Sequence, residues 1–132
     1  MSKVVLDLVI ASRSPRDLAK FYAFVMEAEI HVGIDPTHSW IVLDNDFRIQ
    51  FYKPSSNKPW PSQGRTSALC FKLPPSNNPL EEIVLFRNQL FSMGATTVEP
   101  PIQKSFGVEV WMTDPEGNDF LILAPNEKHR NL

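Results

Sequence analysis

The sequence predicts an α+β protein built from two copies of a strand–helix–strand–strand–strand unit. The first observation is an internal repeat, in which residues 45–50 (NDFRIQ) match residues 118–123 (NDFLIL) at four of six positions. The second is that strand-like alternation and helix-like periodicity follow one another in the same order in both halves. The third is a segment rich in Pro and Ser between the halves, which breaks any periodicity. We therefore expect one domain, residues 1–132, divided into repeat one (3–53), a linker (54–66) and repeat two (67–125).

The first repeat combines alternating segments with one amphipathic helix. Ser14 and Pro15 are typical of an N-cap and a first helical position, and Asp17 suits the positive end of the helix dipole. Apolar residues then recur at helical spacing and predict a buried stripe formed by Leu18, Phe21, Tyr22 and Val25. Strands are predicted at residues 4–11, 30–34, 39–43 and 47–53.

The second repeat has the same order. Asn78, Pro79 and Glu81 repeat the pattern of cap, proline and acid, and Gly94 is placed to end the helix. The predicted stripe of this helix comprises Ile83, Phe86, Leu90 and Met93. Strands are predicted at residues 67–73, 96–102, 106–113 and 119–124, with a hairpin turn at DPEGN (114–118) and a polar, frayed tail at 126–132.

Composition indicates an ordinary globular protein. Hydrophobic residues make up 42% and charged residues 21% of the chain, and the net charge is -2. This balance, without a run of Lys or Arg, argues against nucleic acid and anionic membranes as partners. The N-terminal apolar run has no cleavage site, so we expect neither a signal peptide nor a membrane span. The single cysteine, Cys70, excludes an internal disulfide and fits a reducing cytoplasm.

Three motifs occur in a characteristic order: LAKFY (18–22) in the first helix, SMGA (92–95) at the end of the second, and DPEGN (114–118). Together with the two units, they resemble the glyoxalase / bleomycin-resistance / extradiol-dioxygenase superfamily, also called the vicinal oxygen chelate superfamily, over residues 3–125. The resemblance implies a glyoxalase-like fold, in which curled mixed sheets surround an open trough with helices packed outside. It also implies a homodimer and a ligand cavity on the concave sheet faces. Whether one chain or two would form the trough stays open.

The resemblance also identifies where a metal ion would bind. In the enzymatic members, His, Gln or Glu ligands stand early in the first strand and late in the last strand of each half. The matching positions here are Asp7, Ala68, Leu121 and either Arg48 or Gln50. Because Leu and Ala have no donor atom, at most two of the four positions could bind a metal. We therefore expect no metal or other cofactor, and we discount the family's metal-dependent reactions.

A charge pair could take the metal's place. Asp7 and Arg48 have the parity to face the same side of their sheet, and a paired guanidinium keeps donors for a polar ligand. The alternative is that Arg48 extends into solvent while Asp7 caps a backbone amide. Gln50 and Glu109 are further candidates for orienting a ligand.

Two candidates in the second repeat share the parity of the ligand face. Trp111 lies on the same side as Glu109 and could form a stacking wall, although a place in the core is the commoner fate of a Trp. Cys70 also has this parity, and we expect a buried, inert thiol. The parity of Trp40 is open by one residue. The histidines are expected at the surface or in turns, with His38 a candidate for the rim of a pocket.

These observations predict a metal-free small-molecule-binding protein of the bleomycin-resistance type, with ligand-binding residues Asp7, Arg48, Gln50, Cys70, Glu109 and Trp111 and no catalytic residue. One alternative is a glyoxalase-like lyase, isomerase or dioxygenase that uses relocated metal ligands, or acid–base chemistry by Asp7 or Glu109. Another is a structural subunit whose trough is filled by its own side chains. The apolar residues Val84, Leu85 and Phe91, which lie off the helix stripe, weakly support a homodimer.

Overall fold

The computed structural model describes residues 6–33, 35–44, 47–57, 59–61 and 67–130. The chain divides into two compact units, residues 1–64 and 65–132, and their boundary falls inside the predicted linker. Each unit contains one mixed sheet and one α-helix, which confirms the predicted α+β class. Neither of these α-helices, of 12 and 13 residues, is long and apolar enough to cross a membrane.

The first unit contains a four-stranded sheet in the order β1-β4-β3-β2. Its first strand pairs with its last in parallel, and the other neighbours are antiparallel. The elements are β1 (Asp7–Ala11), α1 (Pro15–Met26), β2 (Glu29–Val32), β3 (His38–Val42) and β4 (Arg48–Tyr52).

Helix α1 covers one face of this sheet. It begins at Pro15, as predicted, but the hydroxyl of Ser14 donates to the Asp17 carboxylate at 2.9 Å and makes no bond to the helix backbone. The Tyr22 ring stacks on Phe51 of β4, with centroids 5.8 Å apart. Burying one such side chain stabilises the fold by about 2 kcal/mol. The core of the unit comprises Leu18, Ala19, Phe21, Tyr22, Ile41, Ile49 and Phe51.

The second unit contains a five-stranded sheet in the order β5-β9-β8-β6, with β7 also paired to β8. Its elements are β5 (Leu69–Lys72), α2 (Pro79–Phe91), β6 (Thr96–Thr97), β7 (Ile102–Lys104), β8 (Gly107–Thr113) and β9 (Asp119–Pro125). Helix α2 packs on β8 and β9, and two of its predicted stripe residues, Ile83 and Leu90, are completely buried.

Two expectations for this unit were wrong. The single strand predicted at residues 96–102 is two short strands, β6 and β7, which both pair with β8. Pro100 and Pro101 lie between them and have no amide hydrogen for the ladder. The tail is ordered through residue 130, because Glu127–His129 form a short 3-10 helix in which the Asn126 side chain accepts from the backbone N–H of His129 at 3.1 Å.

The predicted hairpin turn joins β8 to β9. The carboxylate of Asp114 accepts hydrogen bonds from the backbone N–H groups of Glu116 and Asn118 at 2.8 and 3.0 Å. Gly117 has a φ of 86°, a left-handed conformation that favours glycine. The DPEGN motif therefore closes on itself through side-chain and backbone hydrogen bonds.

Candidate functional site

The face of the first sheet opposite α1 carries a connected group of polar and aromatic side chains. The strand register places Asp7 beside Arg48, and it places Trp40 between Gln50 and His31. His38 and Trp40 alternate with the buried residues of β3, and Arg48 and Gln50 alternate with those of β4; both strands contact α1. We call this group the polar face; its members are Asp7, His31, His38, Trp40, Arg48 and Gln50.

Asp7 is the acceptor at the centre of the polar face. Its Oδ2 accepts from Arg48 Nη2 at 3.0 Å and from Gln50 Nε2 at 2.7 Å. The side chain of Asp7 is 22% exposed and that of Arg48 is 43% exposed. The hydrogen bond from Arg48, and after it the one from Gln50, hold the pKa of the Asp7 carboxyl below its usual value. The predicted charge pair therefore forms, and Asp7 is an anion at neutral pH.

Gln50 links this pair to His38. Its Oε1 lies 2.8 Å from His38 Nε2, while the Nε2 of the same amide donates to Asp7. The four side chains of His38, Gln50, Asp7 and Arg48 therefore form one continuous chain of hydrogen bonds across three strands.

Trp40 occupies the middle of the polar face, which settles its parity. The His31 ring stacks on it with an interplanar angle of 8° and a centroid distance of 5.6 Å, and the His38 ring lies 5.3 Å away. The Arg48 guanidinium carbon is 5.9 Å from its centroid, within the range of a cation–π contact. The face therefore combines flat aromatic surface with a cation.

A cavity of about 800 Å3 opens beside the polar face, within the size range of small-molecule sites. This volume counts against a face filled by its own side chains. The cavity is lined by Val9, Thr37, His38, Gln50, Tyr52, Lys53, Pro54 and Ser55.

The other three candidates lie in the second unit. Leu121 of β9 separates Cys70 from Trp111 in the register. Trp111 is half-buried, so it does not belong to the fully buried core. The Glu109 carboxylate, 18% exposed, forms an ion pair with Lys104 Nζ at 3.6 Å.

Cys70 is exposed, and the expected burial of this residue was wrong. β5 pairs with one strand only, so its other edge is uncovered by the described strands. Partial desolvation of the thiol, assisted by the charge of Glu109, nevertheless raises the pKa of Cys70 above its usual value. A thiol with a raised pKa is a weak nucleophile at neutral pH, as expected.

The register also corrects one inferred metal position. Arg48 pairs with Asp7 in the first unit, and its repeat counterpart Leu121 pairs with Cys70 in the second. Cys70 rather than Ala68 is therefore the counterpart of Asp7. The donor set still does not fit a metal ion, because Leu121 has no donor atom and a cation at Asp7 would meet the charge of Arg48. Among the described residues, no group of three or more His, Cys, Asp or Glu could hold a metal.

Several residues of the site were not singled out as ligand contacts by the sequence. Tyr52 and Lys53 line the cavity at the end of β4, and His31 contributes a stacked ring. His38 was considered only as a possible rim residue. The available signal was the alternation of His38 and Trp40 along one strand, and the parity of Trp40 depended on the length of the turn that follows this strand.

Comparisons with known proteins agree with this fold. The family model described as a glyoxalase-like domain matches residues 3–123. No curated protein matches the chain.

Solved structures are similar over nearly the whole chain. Hypothetical protein SA1046 from S. aureus is 14% identical, with a TM-score of 0.70 and coverage of 94% of this chain and 95% of that one. A glyoxalase/bleomycin resistance protein/dioxygenase family enzyme from Burkholderia phytofirmans PsJN is 18% identical, with a TM-score of 0.69 and coverage of 88% and 94%.

A mutant of the fosfomycin resistance protein FosX from Listeria monocytogenes is also similar. It was solved with Mn(II) and 1S,2S-dihydroxypropylphosphonic acid, and it is 12% identical, with a TM-score of 0.68 and coverage of 98% and 96%. At such identities the likeness shows the fold alone. The match of the family model over residues 3–123, on this two-sheet fold, shows that the chain belongs to the glyoxalase-like domain family.

Proposed function

We propose that this protein binds a small molecule at the polar face of its first sheet without the help of a metal ion. The observation that carries the proposal is the contact of 3.0 Å between Arg48 Nη2 and Asp7 Oδ2. Arg48, a permanent cation, stands at one of the positions where the resemblance implies a metal ligand.

The Arg48 guanidinium can still donate hydrogen bonds to a ligand. It has five N–H donors in a planar fork, and the contact with Asp7 uses one nitrogen. With 43% of its side chain exposed, Arg48 can bind a further acceptor group. Trp40 and His31 supply flat surface next to it, and the adjoining cavity has room for a ligand. Apolar contact would then supply affinity, while the polar groups would orient the ligand.

Acid–base catalysis by Asp7 is disfavoured by its surroundings. A general base that works near neutrality needs a pKa near the working pH, whereas Arg48 lowers the pKa of Asp7. Glu109 is paired with Lys104. No observation on the described residues favours a relocated metal site over binding alone. The metal analysis tests the enzymatic alternative.

The first test combines metal analysis with ligand screening. Elemental mass spectrometry of protein purified without chelator should find far less than one metal per chain. Thermal melts with Ni, Co, Mn, Zn and Mg ions should then show no shift. One tightly held metal per chain would overturn the proposal and make lyase, isomerase and dioxygenase assays the next step.

The screen uses a library of small molecules and matched variants. A ligand of the polar face should raise the melting temperature of the wild type and of Arg16→Ala, a control at an exposed arginine of α1. The same ligand should give a much smaller shift with Arg48→Ala. Equal shifts in all three proteins would place the ligand elsewhere.

We also propose a homodimer, with part of α2 as a contact surface. Leu80, Leu85 and Phe91 are 41%, 57% and 40% exposed, and the Arg87 guanidinium lies over the Phe91 ring at 5.4 Å. Analytical ultracentrifugation should give twice the monomer mass, and Leu85→Lys should shift the equilibrium towards monomer. A monomer at all concentrations would contradict the proposal.

A further inference from the structure

The hydrogen bonds of the polar face have a fixed direction. An ionised carboxylate can only accept, so the amide nitrogen of Gln50, 2.7 Å from Asp7 Oδ2, must be the donor. The hydrogen bond from Arg48 favours this ionised form of Asp7. The orientation of the Gln50 amide is therefore determined, and its carbonyl oxygen is the atom that faces His38 at 2.8 Å.

This orientation determines the tautomer of His38. A carbonyl oxygen has no proton to give, so the Nε2 of His38 must carry the hydrogen. In the neutral imidazole, Nδ1 is then left with a lone pair. The described part of the chain shows no hydrogen bond to this Nδ1. The relay from Asp7 through Gln50 thus turns one edge of the His38 ring into a hydrogen-bond acceptor.

His129 provides the opposite case in the same chain. Its Nδ1 lies 2.8 Å from Asn126 Oδ1, which also accepts from the backbone N–H of His129. The amide nitrogen of Asn126 donates to the Ser105 carbonyl at 3.1 Å, which confirms the orientation of this amide. The hydrogen of neutral His129 is therefore on Nδ1.

The charges and donors that line the cavity beside His38 also bear on the chemical class of the ligand. Of the eight described residues that line it, Lys53 alone carries a formal charge when the imidazole is neutral. Tyr52 and Ser55 also line the cavity, and each carries a hydroxyl that could donate to a ligand. Outside the lining, Arg48 and Asp7 pair with each other. The carboxylate of Asp35 also lies outside it; it accepts from the backbone N–H of Thr37 at 2.8 Å and interacts electrostatically with His38. Within the lining itself, Lys53 favours an anionic group over a cation.

We propose that His38 Nδ1 accepts a hydrogen bond from the ligand, and that the ligand is a small organic acid with an O–H or N–H donor beside its anionic group. This inference rests on the proposed function, because it names the ligand class of the same site. His38 is then a specificity-determining residue, and Gln50 is the positioning residue that sets its tautomer.

The tautomer can be tested without any ligand. Long-range proton–nitrogen NMR correlations, recorded at a pH where imidazole is neutral, distinguish the two ring nitrogens. Single His→Gln variants at the three histidines assign the signals. We expect hydrogen on Nε2 of His38 and on Nδ1 of His129, and Gln50→Leu should convert only His38 into a mixture. Hydrogen on Nδ1 of His38 in the wild type, or no effect of Gln50→Leu, would overturn the inference.

The ligand class is tested with matched pairs of acids. 3-Hydroxybenzoate, whose hydroxyl cannot reach its own carboxylate, is compared with benzoate, and lactate with propionate, by NMR titration of the His38 ring signals. The hydroxylated member of a pair should bind about fivefold more tightly, as expected for one added neutral hydrogen bond. His38→Phe keeps a flat ring but lacks the acceptor, so it should abolish this preference. Lys53→Ala should weaken both members of a pair equally.

The outcomes separate the two proposals. Equal binding of both members of each pair, or a preference that survives His38→Phe, would overturn the role of Nδ1 and leave the binding function standing. Binding of neutral or cationic molecules at the polar face, with no binding of these acids, would overturn the ligand class alone. If no molecule of the library binds at the polar face either, both proposals fail.

Discussion

Both sheets pair their first strand with their last in parallel, but they differ in the chemistry of the face that does not pack on the helix, called here the outward face. In the first unit the parallel pairing of β1 with β4 brings Asp7 beside Arg48, with Gln50 two residues further along. In the second unit the same ladder brings Cys70 beside Leu121, and Leu123 takes the place of Gln50. The first face therefore holds a network of hydrogen bonds, whereas the corresponding positions of the second hold two leucines and a thiol.

The residues on the helix-covered face of each sheet, called here the inward residues, show no such difference. Ile49 and its repeat counterpart Ile122 are 1% and 0% exposed, and both belong to the core of their units. Packing against a helix demands an apolar residue at these positions. The opposite face of the first sheet is partly exposed at Asp7, Arg48 and Gln50 and can carry polar residues, whereas Leu123 of the second sheet is buried. The internal repeat thus preserves the residues that build the fold and leaves the outward residues free to differ in function.

The largest effect is expected for the stability of the protein when Ile49 or Ile122 is changed. The loss of stability should be equal in the two units. Ile49→Ala and Ile122→Ala each remove buried methyl groups and leave a cavity, so each should lower the free energy of unfolding by about 2–4 kcal/mol. Urea denaturation measures both values. If one variant were nearly neutral, the two positions would not be equivalent in packing.

A smaller effect is expected from making the first face resemble the second. Arg48→Leu removes the cation of the polar face, and the affinity for any ligand bound there should fall about tenfold, as expected for a charge-assisted hydrogen bond. Isothermal titration calorimetry measures the change, with Arg16→Ala as the matched control. Undiminished affinity would show that the difference between the faces has no role in binding.

The charge of Asp7 should make a pH-dependent contribution to stability. Arg48 and Gln50 lower its pKa below the ordinary value of 3.8 in the folded protein, so the contribution is present above that pH. It is lost as the pH falls through the lower, folded pKa. Melting temperatures of the wild type and Asp7→Asn should therefore differ at pH 7 and converge in strong acid. Asp44→Asn, at an exposed residue, is the control; a constant difference at all pH values would contradict this assignment.

The smallest effect concerns the thiol that stands opposite Leu121. Because the pKa of Cys70 is raised, alkylation by iodoacetamide at pH 7.5 should be slower than for free cysteine, and it should accelerate as the pH rises. Lys72 lowers this pKa and Glu109 raises it, so Lys72→Ala should slow the reaction and Glu109→Gln should accelerate it. Shifts in the same direction for both variants would rule out this electrostatic explanation.

Local chemistry made most of the fold predictable. Pro15 and Pro79 begin the two helices as expected, and the DPEGN turn forms where proline and glycine indicate it. The strand predicted at residues 96–102 was wrong, although Pro100 and Pro101 were visible in the sequence. Apolar alternation alone does not show that the pairing of a strand is interrupted.

The candidate site was predictable only in part. The charge pair of Asp7 and Arg48 followed from parity, and it forms. The parity of Trp40 remained open because a shift of one residue in the turn before β4 would move its side chain to the other face. His38 was expected only at the surface or at the rim of a pocket.

The sequence by itself determined the order of the elements, the helix starts and the hairpin turn, because each depends on residues a few positions apart. Only the tertiary structure decided the relay from Asp7 through Gln50 to His38, whose bonds join residues 43 and 12 positions apart. Strand register brings these side chains within hydrogen-bonding distance, and register is a property of paired strands. The tautomer of His38, and with it the acceptor offered to a ligand, follows from that pairing.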